Sequence, residues 1–105
     1  MPRERFRIHD EAAKEIADAI CWHVERDEEL ADRFIGAVND AIDKILASPE
    51  RFAKYLSRTR YVAVDGFNYI VVYRDVKELV HVVAVAHTSR RPGYWKRRLR
   101  DIEES

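Results

Sequence analysis

Cysteine, glycine, proline and long apolar runs are all scarce in this sequence of 105 residues, which has one cysteine, three glycines and three prolines. A single cysteine, Cys21, excludes an internal disulfide, and the four histidines do not show the spacing of a zinc site. The longest uncharged stretch, from Leu79 to Ser89, is too short to cross a bilayer, and the N-terminus lacks the apolar segment of a secretory signal. We therefore expect a cytoplasmic protein with no metal, no cofactor and no membrane partner.

The charges are abundant and unevenly distributed. Charged residues make up 36% of the chain and hydrophobic residues 47%, which is typical of one soluble globular domain, so we expect residues 1–105 to form a single domain. The net charge is zero, yet residues 10–44 carry eleven acidic and four basic residues, whereas residues 51–100 carry twelve basic and three acidic ones. The basic half either contacts an anionic partner or only keeps the protein soluble.

Hydrophobic periodicity predicts one strand followed by two helices. Residues 3–8 alternate like a half-buried strand, and Asp10 is expected to cap a helix that runs from about Glu11 to about Glu25. Its predicted apolar stripe consists of Ala13, Ile16, Ala17, Ile20 and Val24. A second helix follows the charged break at residues 26–29 and ends at Ser48-Pro49, so the two helices should form an antiparallel hairpin.

Beyond Pro49 the composition shifts to β-branched and aromatic residues. Residues 61–64, 69–73 and 79–86 are predicted as three meander strands, with turns at Asp65-Gly66 and near residues 75–78. The order β-α-α-β-β-β predicts an α+β fold with the helical hairpin on one face of a four-stranded, mainly antiparallel sheet.

The last strand, LVHVVAVAH, is apolar on both sides. Simple alternation would place Val80, Val82, Ala84 and Ala86 on one face and His81, Val83, Val85 and His87 on the other. A helical hairpin covers only one face, so the second face needs another cover. We expect partial cover by the C-terminal segment, completed by a partner protein.

The basic C-terminal segment, residues 87–100, combines cations with adjacent aromatic residues. Guanidinium groups bind phosphates or carboxylates, and Tyr94 and Trp95 offer flat surfaces. The candidate target-binding residues are Arg90, Arg91, Tyr94, Trp95, Lys96, Arg97 and Arg98. Alternatively, Pro92-Gly93 turns the chain so that the two aromatic residues fold back onto the sheet. Arg58 and Arg60 either extend this basic surface or protect a strand edge from aggregation.

A catalytic hypothesis treats His87 as the central residue of an active site. Histidine can act as a general base near neutral pH, and Arg90 and Tyr94 could stabilise or protonate an anionic transition state, which suits attack of a ribose 2′-hydroxyl on its phosphate. No acidic residue lies near His87 in sequence to orient the imidazole. The acids of the first helix, Glu11, Glu15, Asp18 and Glu25, are interpreted as a solvated face.

The element order together with SPERF, VAVDGFNYIVVYR and HTSRRPGYW resembles the RelE/ParE family of toxins from bacterial type II toxin-antitoxin systems, which includes plasmid stabilisation proteins. The resemblance covers nearly the whole chain. It implies a cognate antitoxin that wraps and neutralises the protein. We expect the antitoxin to contact His81, Val83, Val85, Tyr69, Val71 and Tyr73.

The family divides in mechanism, and this sequence is closer to its ParE-like branch. RelE-like members cleave mRNA on the ribosome with basic residues on the middle strands, but the matching positions here are Tyr61, Ala63 and Ile70. The late arginine and tyrosine match Arg90 and Tyr94. The resemblance therefore implies inhibition of DNA gyrase by binding, without catalysis. The alternatives are a metal-independent, ribosome-dependent mRNA endonuclease using His87, Arg90 and Tyr94, and a family member that is not toxic.

Overall fold

The computed structural model describes residues 6–102. It contains four strands, two long helices and two short 3-10 helices. In chain order these are β1 (Phe6–Ile8), α1 (Asp10–Val24), α2 (Glu28–Ala47), a 3-10 turn (Leu56–Arg58), β2 (Arg60–Ala63), β3 (Tyr69–Val76), β4 (Leu79–His87) and a C-terminal 3-10 helix (Lys96–Ile102). The predicted α+β class and element order are confirmed. Residues 3–5 of the first predicted strand lie outside the described residues.

Both helices begin at a side-chain cap. In α1 the cap is His9, whose Nδ1 accepts the Glu11 N–H, so the prediction that Asp10 caps the helix is wrong by one residue. Asp27 caps α2 by accepting the Glu29 N–H, and α2 ends just before Ser48-Pro49 as expected. The Asp27 cap starts α2 after a connection of only three residues, 25–27.

The sheet order is β1-β4-β3-β2. β1 pairs in parallel with β4, and the other neighbours are antiparallel, as expected for a meander that follows a helical hairpin. Gly66 turns the chain between β2 and β3 with φ 84°, where a side chain would be strained. The sheet thus carries His87 at one end of β4 and Arg74 at the opposite end of β3.

The first core lies between the helical hairpin and the sheet. It is built from the apolar stripe of α2, including Phe34 and Ile45, packed on Val71, Tyr73 and Val82. The buried face of α1 is rotated relative to the predicted apolar stripe. The buried residues of the helix are Ala12, Ala19 and His23, whereas Ala13, Ala17 and Val24 of the predicted stripe are exposed. Cys21 is also exposed. Within residues 6–102 no helix is long and apolar enough to span a membrane.

A β-bulge in β4 changes which side chains share a face. Val72 pairs with Ala84 but Tyr73 pairs with Val82, so Val83 is an extra residue on β4. As a result Val85 joins Val80 and Val82 under the helices, whereas Ala84 faces the other side together with Val83. The prediction of simple alternation along this strand is therefore wrong from Ala84 onward.

The second face of the sheet is covered by the protein's own C-terminal segment. Trp95, Leu99 and Ile102 pack on Val72, Val83 and Ala84 to form a second core. Trp95 is 1% exposed, so its indole ring is enclosed as completely as a residue of the first core. The expectation that a partner protein must complete this cover is wrong for the described residues, because the chain turns at Pro92-Gly93 and the segment after it packs on this face of the sheet.

Candidate functional site

The C-terminal segment is fastened to the rest of the fold by the carboxylate of Glu15, in the middle of α1. Glu15 Oε2 accepts the Tyr94 hydroxyl at 2.6 Å and Arg98 Nη2 at 2.9 Å. Glu15 Oε1 accepts Arg98 Nη1 at 3.1 Å and the Val85 N–H at 3.0 Å. One carboxylate therefore joins α1, β4 and the C-terminal segment through four hydrogen bonds.

Sequence reasoning missed Glu15, which was expected on a solvated face. The buried residues of α1 lie three or four positions apart from it, at Ala12 and Ala19, so Glu15 belongs to the same helical stripe. A charge on a buried stripe signals a partner, because an unpaired buried carboxylate is costly. Arg98 supplies that partner and also donates to the Val83 carbonyl at 3.0 Å.

Tyr94 is held by its hydroxyl and by its ring. Burial, followed by the hydrogen bond to Glu15 and the charge of that carboxylate, raises the pKa of Tyr94 well above its ordinary value. The Arg90 guanidinium lies 3.7 Å from the centre of the Tyr94 ring, within the range of a cation–π contact. The phenol is thereby kept protonated and immobile.

His87 lies at the end of β4, beside a groove of about 650 Å³ whose walls include Glu15, Asp18 and Trp22. Its Nδ1 accepts the Ser89 N–H at 3.0 Å. Because an amide N–H can only donate, the lone pair of Nδ1 is already used, and a neutral imidazole carries its proton on Nε2. The fold therefore brings His87 near acidic residues that are distant in sequence, but it does not leave a free basic nitrogen on the ring.

The predicted target-binding residues divide into exposed and buried members. Arg90, Arg91, Lys96 and Arg97 are exposed, and Arg100 extends this set. Trp95 is enclosed in the second core and Arg98 is bound to Glu15, so neither side chain lies on the surface that a target would meet, and target binding by the set stays a prediction. We call the five exposed cations of this segment the tail cations: Arg90, Arg91, Lys96, Arg97 and Arg100. All of them except Arg100 were predicted from the sequence.

The residues expected to contact an antitoxin are not on an open face. Val71, Tyr73 and Val85 are buried under the helices, and Val83 is buried under the C-terminal segment. Tyr69 is half-buried against Phe34 and His87, and His81 is half-buried on β4. Antitoxin contact through the six residues stays a prediction, and for the four buried ones it requires parts of the fold to separate.

The positions matched to the RelE-type set do come together. Tyr61, Ile70, Arg90 and Tyr94 line one depression of about 220 Å³ on the tail side of the sheet, although Ala63 does not. The two strand positions in it carry no charge, so Arg90 and its neighbour Arg91 are the cations of this depression. Within residues 6–102 no group of three or more His, Cys, Asp or Glu side chains could hold a metal ion.

Comparison with known proteins identifies related sequences. A sequence model of the family described as "ParE toxin of type II toxin-antitoxin system, parDE" matches residues 6–92. Proteins named "Toxin ParE2" from two strains of Mycobacterium tuberculosis, CDC 1551 / Oshkosh and ATCC 25618 / H37Rv, are each 27% identical to this chain over 90 residues. These matches cover 85% of this chain and 86% of each relative.

Proposed function

The chain belongs to the ParE toxin family of type II toxin-antitoxin systems, and from this premise we propose that it inhibits its cellular target by binding, without catalysing a reaction. The family implies an antitoxin partner. The resemblance to the ParE-like branch supports DNA gyrase as the target.

The observation that supports this proposal is that the two best candidate catalytic groups, His87 and Tyr94, already make hydrogen bonds within the protein. General-base catalysis by His87 needs a free nitrogen lone pair, and Nδ1 already accepts the Ser89 N–H. General-acid catalysis by Tyr94 needs a hydroxyl that ionises readily, yet this hydroxyl donates to the Glu15 carboxylate, and burial together with that carboxylate raises the pKa of Tyr94. Both groups act as structural hydrogen-bonding partners.

The tail cations are the proposed contact with the target. They are exposed, they lie within residues 90–100, and this segment is itself anchored by Trp95 and Arg98. Anchoring matters because a preorganised cationic surface loses less entropy on binding than a free tail does. An antitoxin of opposite charge would mask the same surface.

Endonuclease activity is the second candidate, since Arg90 and Tyr94 line one depression and His87 borders it. This reading requires His87 to exchange its hydrogen bond with Ser89 for one with a substrate. It also requires Arg90 and Arg91 alone to stabilise the negative charge that develops on the phosphate in the transition state. RelE-like members have additional cations on their strands for this purpose.

Growth arrest on induced expression without antitoxin tests the proposal. We expect His87→Ala and Tyr94→Phe to retain arrest. A variant with Arg91, Lys96 and Arg97 all changed to Ala should lose it, whereas a control that removes three exposed cations from the helices should not.

The control changes Lys14, Arg33 and Lys44 to Ala. Charge substitutions are preferable to truncation after Ser89, because truncation would remove Trp95 from the second core. Loss of arrest in His87→Ala, with the protein folded, would refute the non-enzymatic proposal in favour of the endonuclease. Absence of arrest for the unmodified chain would favour a family member that is not toxic.

A further inference from the structure

A second basic pocket lies at the end of the sheet opposite to His87, and the proposed function does not use it. It is a cavity of about 510 Å³ between the segment after α2, β2 and the end of β3. We call it the β2-edge pocket. Four cations line it, Lys54, Arg58, Arg60 and Arg74, together with the carboxylates of Glu50 and Asp75 and the ring of Tyr55.

Two of the four cations of the β2-edge pocket, Arg60 and Arg74, are oriented by backbone carbonyls and not by carboxylates. Arg60 Nη1 donates to the Phe52 carbonyl, and Arg74 Nη2 donates to the Ser57 carbonyl. The ion pairs found within residues 6–102 involve none of the four cations. The guanidinium groups of Arg60 and Arg74 are thus held in place, and the charge of the four cations is not neutralised by an ion pair among the described residues.

Arg74 also has an unsatisfied donor. Its Nε is buried and has no hydrogen-bond acceptor among the described residues. Buried donors in folded proteins nearly always have an acceptor, so this one indicates that an acceptor from outside the chain belongs near the pocket. An oxyanion is the acceptor that suits a guanidinium.

The backbone beside the pocket is strained. Ser57 and Arg58 both have positive φ, 55° and 60°, although neither is glycine. The turn is held because the N–H and the hydroxyl of Thr59 both donate to the Leu56 carbonyl, at 3.2 and 2.6 Å. Strained backbone of this kind is concentrated at ligand-binding sites. Here it places the Arg58 backbone at the rim of the pocket.

The pocket continues into the basic surface of the C-terminal segment. Tyr55 lines the β2-edge pocket and also the depression that contains Arg90 and Arg91, so cations lie on both sides of one aromatic ring. The Tyr55 ring is half-buried against Tyr61 and Trp95. Cations on both sides of an aromatic ring are typical of a surface that binds a nucleic-acid strand, whereas an acidic peptide needs the cations alone.

We propose that the β2-edge pocket binds a backbone phosphate of a nucleic acid. The shared ligand chemistry is a phosphodiester, from duplex or single-stranded nucleic acid. The proposal goes beyond the function proposed above, because it does not depend on which protein the toxin inhibits.

Fluorescence anisotropy with the purified full chain tests it, using labelled duplex DNA, single-stranded DNA and single-stranded RNA over a series of salt concentrations. The test variant is Lys54→Ala/Arg58→Ala, because both side chains are exposed and their loss leaves the cores intact. The matched control is Arg33→Ala/Lys44→Ala, which removes the same charge from α2. For the duplex we expect the test variant to bind about tenfold more weakly, and its log–log salt slope to be smaller by roughly 1.8. The control should match the unmodified protein.

Removing a carboxylate should have the opposite effect. Glu50→Gln is expected to tighten nucleic-acid binding several-fold, because it relieves repulsion of the phosphate, and to leave the salt slope of the cations in place. A second readout needs no variant. The NMR signal of the Arg74 Nε–H should shift when the duplex is added to the unmodified protein.

Four results would overturn the proposal. These are no salt-dependent binding to any of the three nucleic acids, equal loss in the test and control variants, competition by poly-glutamate as effective as competition by unlabelled duplex, and a shift of the Arg74 Nε–H signal by ATP or inorganic phosphate but by none of the oligonucleotides. Preferential binding of one nucleic acid among the three supports the proposal and identifies the source of the phosphate.

Discussion

Replacing Glu15 by alanine should destabilise the protein more than any other single change to a charged residue of α1. The substitution removes the acceptor of four hydrogen bonds and leaves Arg98 with one partner, the Val83 carbonyl. The side chains of Arg98 and Glu15 are only 9% and 16% exposed, so water cannot replace the lost partner. Breaking a buried ion pair from one side costs about 3–5 kcal/mol.

That loss is large compared with the stability of a small domain, about 5–15 kcal/mol. The lower end of the range corresponds to a fall in Tm of at least about 12 °C for a chain of this size. Urea denaturation followed by circular dichroism measures it directly. The matched control is Asp18→Ala, an exposed acid one turn further along α1, which should change the free energy of unfolding by less than about 0.5 kcal/mol.

A second substitution separates the ion pair from a general packing defect. Arg98→Met in the Glu15→Ala background removes the uncompensated guanidinium, so the double variant should be more stable than the sum of the two single losses predicts. If Glu15→Ala costs less than about 1 kcal/mol, the pair behaves like a solvated surface bridge, and our account of how the C-terminal segment is fastened is wrong.

Two further predictions concern the two cores. Trp95→Ala should lower the free energy of unfolding by about 3–5 kcal/mol in urea denaturation, because it opens a cavity in the second core; a loss below about 1 kcal/mol would show that the segment does not cover the sheet. Burial raises the pKa of Tyr73 to about 12, so folding favours its protonated form. Stability should therefore be complete below about pH 10 and fall by up to about 2 kcal/mol as the pH rises towards about 12. Tyr73→Phe should reduce this fall in urea denaturation, and an unchanged fall would contradict the assignment to Tyr73.

Local patterns predicted the elements of this fold well, and the errors arose where two elements meet. The C-terminal end of α2 followed from Ser48-Pro49, since proline acts within a few residues, whereas the Asp27 cap was not singled out within the charged break at residues 26–29. Which face of the sheet each side chain of β4 occupies could not be predicted in the same way. The bulge at Val83 depends on pairing with β3, and it produces no recognisable pattern in the sequence of β4 itself.

The candidate site shows the same limit. Arg90 and Tyr94 could be singled out because a cation and an aromatic residue lie close together in an unusual segment. The role of Glu15 depends on Arg98, which is 83 residues away, and single-sequence periodicity contains no information on such a pair. Burial of Trp95 was foreseen only as the alternative to target binding, since Pro92-Gly93 indicates a turn but not where the chain goes afterwards.

The central claim is inhibition by binding, and a parallel assay of the purified chain tests it most directly. DNA supercoiling by gyrase and mRNA integrity in a translating extract are measured with the same preparation of unmodified protein, His87→Ala and Tyr94→Phe. We expect all three proteins to inhibit supercoiling and to leave mRNA uncut. Translation-dependent cleavage that is lost in both variants, with supercoiling unaffected, would contradict the claim.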